Sequence, residues 1–257
     1  MEKEKILVYD GSFNGFLTSV FIAFDQKINV ANIQRRNEVQ KGLFTDTQTI
    51  LTQVPKAKRV WNGISRRSNH AMKNIYFAFL GETAGIEQLL FSYIKKLVAK
   101  DSPNYSDSTE GLANKINHLA NMVSKRKSQM EAFMQFNVSI DGIHYSLTKP
   151  EFNLLPLVSK HFRSNFGDRQ WLIYDIKRSY GLYYDLHTIQ LITLDLKEIV
   201  ANYEALNGSF LTSAGDAIAF WNNYYAKNPI KSLISNNSHT YQLNKRPNKY
   251  RGELEAV

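Results

Sequence analysis

The chain has no cysteine in its 257 residues. That excludes disulfides, thiolate nucleophiles and cysteine-ligated zinc or iron–sulfur centres. No apolar run approaches the roughly 20 residues that span a bilayer. The start, MEKEKILVYDG, lacks the long apolar stretch of a signal peptide. The cytoplasm is therefore the expected compartment, with no membrane partner. Internal repeats and low-complexity tracts are also missing.

Recognised chemical motifs are as scarce. No Walker loop, dinucleotide fingerprint or serine-hydrolase elbow occurs. The histidines, His70, His118, His144, His161, His187 and His239, form neither an HxH nor an HxxxH pair. The expectation is thus no metal site and no cofactor. Only three aspartates, Asp10, Asp175 and Asp185, end or follow predicted strands, where a cleft gathers catalytic carboxylates. Strand-end aspartates more often form turns, so the residues define no catalytic mechanism.

What is present is a large apolar and aromatic inventory with an excess of positive charge. Hydrophobic residues make up 43%, including 14 Tyr, 15 Phe and 3 Trp, enough to build a core. Net charge is +9, which favours association with polyanions through counterion release. The densest stretch is residues 35–67, with eight Lys and Arg against two acids. Within it, Pro55 opens a predicted helix through residue 66. Ala57, Val60, Trp61 and Ile64 face inward, leaving Lys56, Arg59 and Arg66 near the exposed side, with Arg67 following.

Periodicity supplies the remaining elements. Residues 6–9 read as a strand, 10–12 as a turn and 13–24 as a helix. A helical stretch over 72–100 is broken at 81–85, and 101–111 forms a loop. A helix at 112–133 carries Lys125, Arg126 and Lys127, of which at most two share a surface. Met134, Phe136 and Val138 then alternate with polar residues, as do Ile143, Tyr145 and Leu147 across Asp141-Gly142, a hairpin signature. A helix over 154–166 and strands at 171–174, 181–184 and 188–194 follow. Phe220, Trp221, Tyr224 and Tyr225 sit on a short helix, and 228–257 is a polar tail. The expected fold class is α+β, with an antiparallel sheet of β-β-α-β-β-β order and helices before and after it. The expected parts are a mainly helical 1–111 and an α+β 112–257, or one continuous domain.

Around the strand at 171–174, Arg169, Asp175 and Arg178 bracket apolar residues. An arginine–carboxylate pair fixing the hairpin is one reading. Phosphate or base-stacking contacts by Arg169, Trp171 and Arg178 are the other.

Four blocks resemble a bacterial family labelled as DNA metabolism and DNA repair proteins, built around a domain of unknown function. They are YDGSFNGFLTSVFIAF, FMQFNVSIDGIHYSLTKPEFNLLPLVSKHF, DRQWLIYDIKRSYGLYYD and a loose RPNKYRGELEA, joined by the basic PKAKRVWNGI. The resemblance implies a radical-SAM protein encoded alongside, and in some organisms fusion to a uracil-DNA-glycosylase-like domain. The chain has no cysteines for a radical-SAM cluster and no glycosylase motif, so that chemistry belongs to partners. The leading expectation is an accessory factor binding DNA. Lys56, Arg59, Arg66, Arg67, Lys125, Arg126 and Lys127 are its phosphate contacts, with Arg169, Trp171 and Arg178 nearer a site. A second class is an Mg²⁺-dependent nuclease or base-processing enzyme using Asp10, Asp175 or Asp185 with Arg169 and Arg178. A third is a protein-binding scaffold without DNA contact.

Overall fold

The computed structural model describes residues 4–38, 46–99, 106–193 and 229–231. These fall into two compact units, one up to Arg126 and one from Lys127 onward. The short helix expected around Phe220 to Tyr225, the end of the last strand and almost all of the polar tail lie outside the described residues. So does the RPNKYRGELEA block. Among the described residues no helix is long and apolar enough to cross a membrane.

The first unit opens with β1 (Lys5–Tyr9), whose last four residues are buried. Ser12 then caps α1 (Phe13–Asp25), its hydroxyl accepting from the Gly15 amide at 2.9 Å. After α1 the chain returns as β2 (Val30–Arg35), parallel to β1. A third strand, β3 (Asp46–Thr49), joins the other side of β1, also parallel, giving the order β2-β1-β3. This parallel sheet corrects the expectation of a single antiparallel one. VANIQR and DTQT lack an apolar alternation, and backbone pairing with the buried β1 makes them strands.

Four helices follow: α2 (Val54–Arg67), α3 (Asn69–Leu80), α4 (Ile86–Val98) and α5 (Ser106–Phe133). Residues 81–85 separate α3 from α4, where the break was expected. Helix α5 begins six residues before the predicted start at 112. An aromatic cluster fills the core, with Phe13 at 5.0 Å from both Tyr76 and Phe79 and edge-on to Trp61 at 5.5 Å.

The second unit carries a five-stranded sheet, ordered β4 (Asn137–Val138), β5 (His144–Thr148), β6 (Trp171–Asp175), β7 (Tyr180–Tyr184) and β8 (Ile189–Ile192). β4 pairs antiparallel with β5 as a shorter hairpin than the alternation suggests, with Gly142 at a φ of 79° in its turn. Between β5 and β6 runs α6 (Leu155–Asn165), and the two strands are parallel. The sheet is therefore mixed, not antiparallel. A helical crossover carries the chain back to the end of the sheet where β5 began, so the next strand runs the same way. β6, β7 and β8 then meander antiparallel, with every residue of β6 and β7 buried.

Candidate nucleic-acid interface

Helix α2 follows directly from the carboxyl end of β3. Pro55 occupies its first turn, and Ala57 and Ile64 turn inward. Its charged residues are Lys56, Lys58, Arg59, Arg66 and Arg67, with no acid among its 14 residues. Lys56, Arg59, Gly63 and Arg66 recur at i, i+3 or i+4, so they share one side of the helix. Along that side α2, α1 and α4 leave a groove of about 430 Å³, floored by Phe21, Phe24, Ile94 and Val98 and edged by Arg59, Arg66 and Arg67. Gly63 faces open space in it, since a Cβ there would meet nothing within 4 Å.

Phe21 organises the cations. Lys56 Nζ stands 5.5 Å and Arg59 Cζ 5.0 Å from its ring centroid, both within cation–π range. Among the described residues, no carboxylate lies within ion-pair distance of Lys56, Arg59 or Arg66. Phe24 and Val98 are 40% and 44% exposed, so the floor stays open to solvent. The structure thus brings together four of the predicted phosphate-binding residues.

The other predicted contacts are placed differently. On α5, Lys125 and Arg126 are exposed, whereas Lys127 Nζ pairs with Glu131 at 2.6 Å. Arg169 makes a two-bond fork with Asp168, at 2.9 and 2.7 Å. Trp171 is fully buried and stacks on Tyr184 at 5.4 Å. The Arg178 side chain, 5% exposed, donates to Asp175 Oδ2 at 2.7 Å and to the Pro150 and Glu151 carbonyls. Arg178 and Asp175 together fasten the β6–β7 hairpin. Arg35, counted in the basic stretch, is also withdrawn from the surface. It is buried on β2, with Nε donating to Glu87 Oε1 at 2.7 Å.

The three aspartates do not form a shared centre. Asp10 follows β1, and its Oδ1 accepts from the Ser12 amide and hydroxyl. Its Oδ2 accepts from Thr52 Oγ1 at 2.8 Å, tying the turn before α1 to the loop before α2. A Cβ on Gly15 would sit 2.2 Å from Asp10 Oδ1, so that closeness requires glycine. Asp175 pairs in register with Tyr180, and Trp171 with Tyr184, so Asp175 and Asp185 lie at opposite ends of the hairpin. About 13 Å of strand separates those ends. Burial pushes the Asp175 carboxyl above its ordinary range, with Arg178 pulling the other way. Asp185 is held below its ordinary range: burial raises it, but the amides of Thr188 and His187 together with the Thr188 and Gln190 side chains outweigh that. Its bonds make it a turn former. Among the described residues, no three His, Asp or Glu side chains gather as a metal would need.

Two features were not read from the sequence. One is a buried network in the first unit, where Tyr9 Oη donates to the same Glu87 Oε1 at 2.8 Å. Burial and the neighbouring Glu87 raise the Tyr9 hydroxyl well above its usual value. The other is a pocket of about 290 Å³ in the second unit, lined by Met134, Phe136, His144, Phe166, Arg169 and Trp171.

These features define an α+β protein with a parallel sheet in one unit, a mixed sheet in the other, and a basic groove edged by a cationic helix. Residues 84–255 match the family described as a domain of unknown function, DUF4130, and the chain belongs to that family. No curated protein and no solved structure matches it.

Proposed function

We propose that this protein binds DNA through the cationic side of α2 and serves DNA metabolism or repair as an accessory factor. The observation that carries the reading is the convergence of Arg59, Arg66 and Arg67 on one groove, with Lys56 over the ring of Phe21 in its floor. Lys56, Arg59 and Arg66 have no neutralising acid there among the described residues. From Lys56 to Arg66 the helix rises about 15 Å. Duplex DNA carries one charge per roughly 1.7 Å of axis, so this length faces several phosphates. Phe21 and Phe24 add flat apolar surface beside the cations, suited to sugar and base contact. The resemblance to DNA metabolism proteins supports the choice of DNA. It also supports a radical-SAM or uracil-DNA-glycosylase-like partner, to which the reaction chemistry would belong.

Salt dependence tests the reading. If four cations neutralise phosphates, log K against log[salt] for duplex DNA falls with a slope of about −3.6. Fluorescence anisotropy with a labelled duplex between about 50 and 200 mM salt measures it. A flat response, or no binding at the low end, would overturn the proposal.

A further inference from the structure

We infer that the pocket of the second unit receives a single planar heteroaromatic ring, a nucleobase. The inference uses no residue of the α2 groove and goes beyond DNA binding by that helix. His144 and Trp171 open the parallel strands β5 and β6 and are register partners, and Trp171 is in turn the partner of Tyr184. The three side chains therefore stand in a row on one sheet face. Helix α6 and the residue after it cover that face, with Phe162 edge-on to Trp171 at 6.2 Å and Phe166 stacked against Phe162. Phe136, from the segment joining α5 to β4, closes the side, 5.3 Å from Phe166.

Three properties select the guest. The walls are aromatic, with Phe136 and Phe166 offering flat π surface that a planar ring matches and an aliphatic chain does not, and the buried Trp171 lining the pocket behind them. The volume, about 290 Å³, lies at the small end for ligand pockets and suits one ring system. Finally, two of the lining residues carry a buried nitrogen without a hydrogen-bond partner, Trp171 Nε1 and His144 Nδ1. Buried polar atoms are rarely left so. The indole N–H only donates, and the imidazole nitrogen donates or accepts according to tautomer. A base edge presents adjacent acceptors and donors, whereas a hydrocarbon leaves both nitrogens unanswered. A simple anion is disfavoured, because the cation at the rim, Arg169, has its fork engaged by Asp168. The base, not the phosphate, is what the pocket recognises.

The chain has three tryptophans, so its indole N–H region in a proton–nitrogen NMR spectrum is simple, and Trp171→Phe assigns the Trp171 signal. The probes are each common deoxynucleoside monophosphate and a short single-stranded oligodeoxynucleotide. The expected result is a saturable shift of the Trp171 signal with at least one of them. Movement with free monophosphates identifies a nucleotide site, and movement with the oligonucleotide alone identifies a base presented on a strand; either supports the inference. Phe136 lies outside helix and strand but packs on Phe162 and Phe166, so Phe136→Leu, which keeps an apolar filling and loses the flat ring, should weaken the response roughly tenfold. Arg59→Ala with Arg66→Ala should leave the shift intact, separating this site from the α2 groove. No shift with any probe overturns the inference. Oligonucleotide binding that leaves the Trp171 signal in place overturns it too, and spares the α2 reading.

Discussion

Helix α2 carries five cations and no acid, whereas the β6–β7 region sets each arginine beside an aspartate, Arg169 next to Asp168 and Arg178 three residues after Asp175. The same residue type is put to opposite uses. On α2 Lys56, Arg59 and Arg66 keep their field among the described residues, and the half-buried Phe21 gathers the first two. In the hairpin that field is spent internally, on a buried carboxylate and on backbone carbonyls. The acids within reach, more than the density of arginine, decide which basic stretch keeps its positive field. Arg35 belongs with the hairpin arginines despite its basic neighbours, because its acid, Glu87, arrives from 52 residues away.

The sharpest way to break the comparison is to remove a paired arginine. Arg178→Ala leaves Asp175, fully buried, without its counterion. Loss of one member of a buried pair costs about 3–5 kcal/mol, read from the urea midpoint of the second unit's transition. The loss should depend on pH in a stated direction. Burial already raises the Asp175 carboxyl, and without the Arg178 guanidinium only backbone amides, those of residues 177 and 178, still oppose that push. The folded state then holds a proton that the unfolded chain releases above its ordinary pKa. Stability therefore falls as pH rises from about 4 toward neutrality, and the variant should be least damaged in acid. DNA affinity should be unchanged apart from the population unfolded.

The complementary change is Arg59→Ala with Arg66→Ala. Both side chains are exposed and neither has an ion-pair partner among the described residues. Their removal should move stability by no more than about 0.5 kcal/mol each. The salt slope for duplex DNA should fall by about 2, roughly one for each phosphate left unneutralised. A variant that melted early while binding DNA normally would reverse the assignment of the two regions.

Much of this arrangement was legible before the fold. The i, i+3, i+4 stripe of α2, the break between α3 and α4, and the aromatic strands β6 and β7 all announce themselves by period. The parallel β5–β6 pair was missed, although α6 between two neighbouring strands is the mark of a crossover, because the alternation on either side of it suggested hairpins. Strands β2 and β3 were not legible either, because VANIQR and DTQT gain their order from β1. Nor was the groove. Phe21 and Phe24 share one apolar face of α1 by their spacing, and no local pattern says which end of such a stripe stays uncovered. The pocket was hidden for a related reason. His144 and Trp171 meet only through strand register, across 27 residues that include all of α6.

The smallest effect sharpens the comparison most, because it converts one kind of arginine into the other. Arg169 is exposed like the α2 arginines but paired like Arg178, and it stands at the rim of the aromatic pocket with its guanidinium 6.0 Å from the Phe166 ring centroid. Its hydrogen bonds hold the Asp168 carboxyl below the ordinary range, so the pair persists through neutral pH. While the pair stands, the pocket should bind a nucleoside and its monophosphate about equally. Asp168→Asn removes the competing charge and frees Arg169 for the phosphate. The monophosphate should then bind more tightly than the nucleoside by up to about fivefold, the most that a solvent-screened ion pair supplies. That preference should shrink with added salt, as an exposed charge pair must. Competition titrations on the Trp171 indole signal measure the ratio. A ratio that stays at one would mean that an adjacent acid is not what silences Arg169, and the contrast with α2 would need another cause.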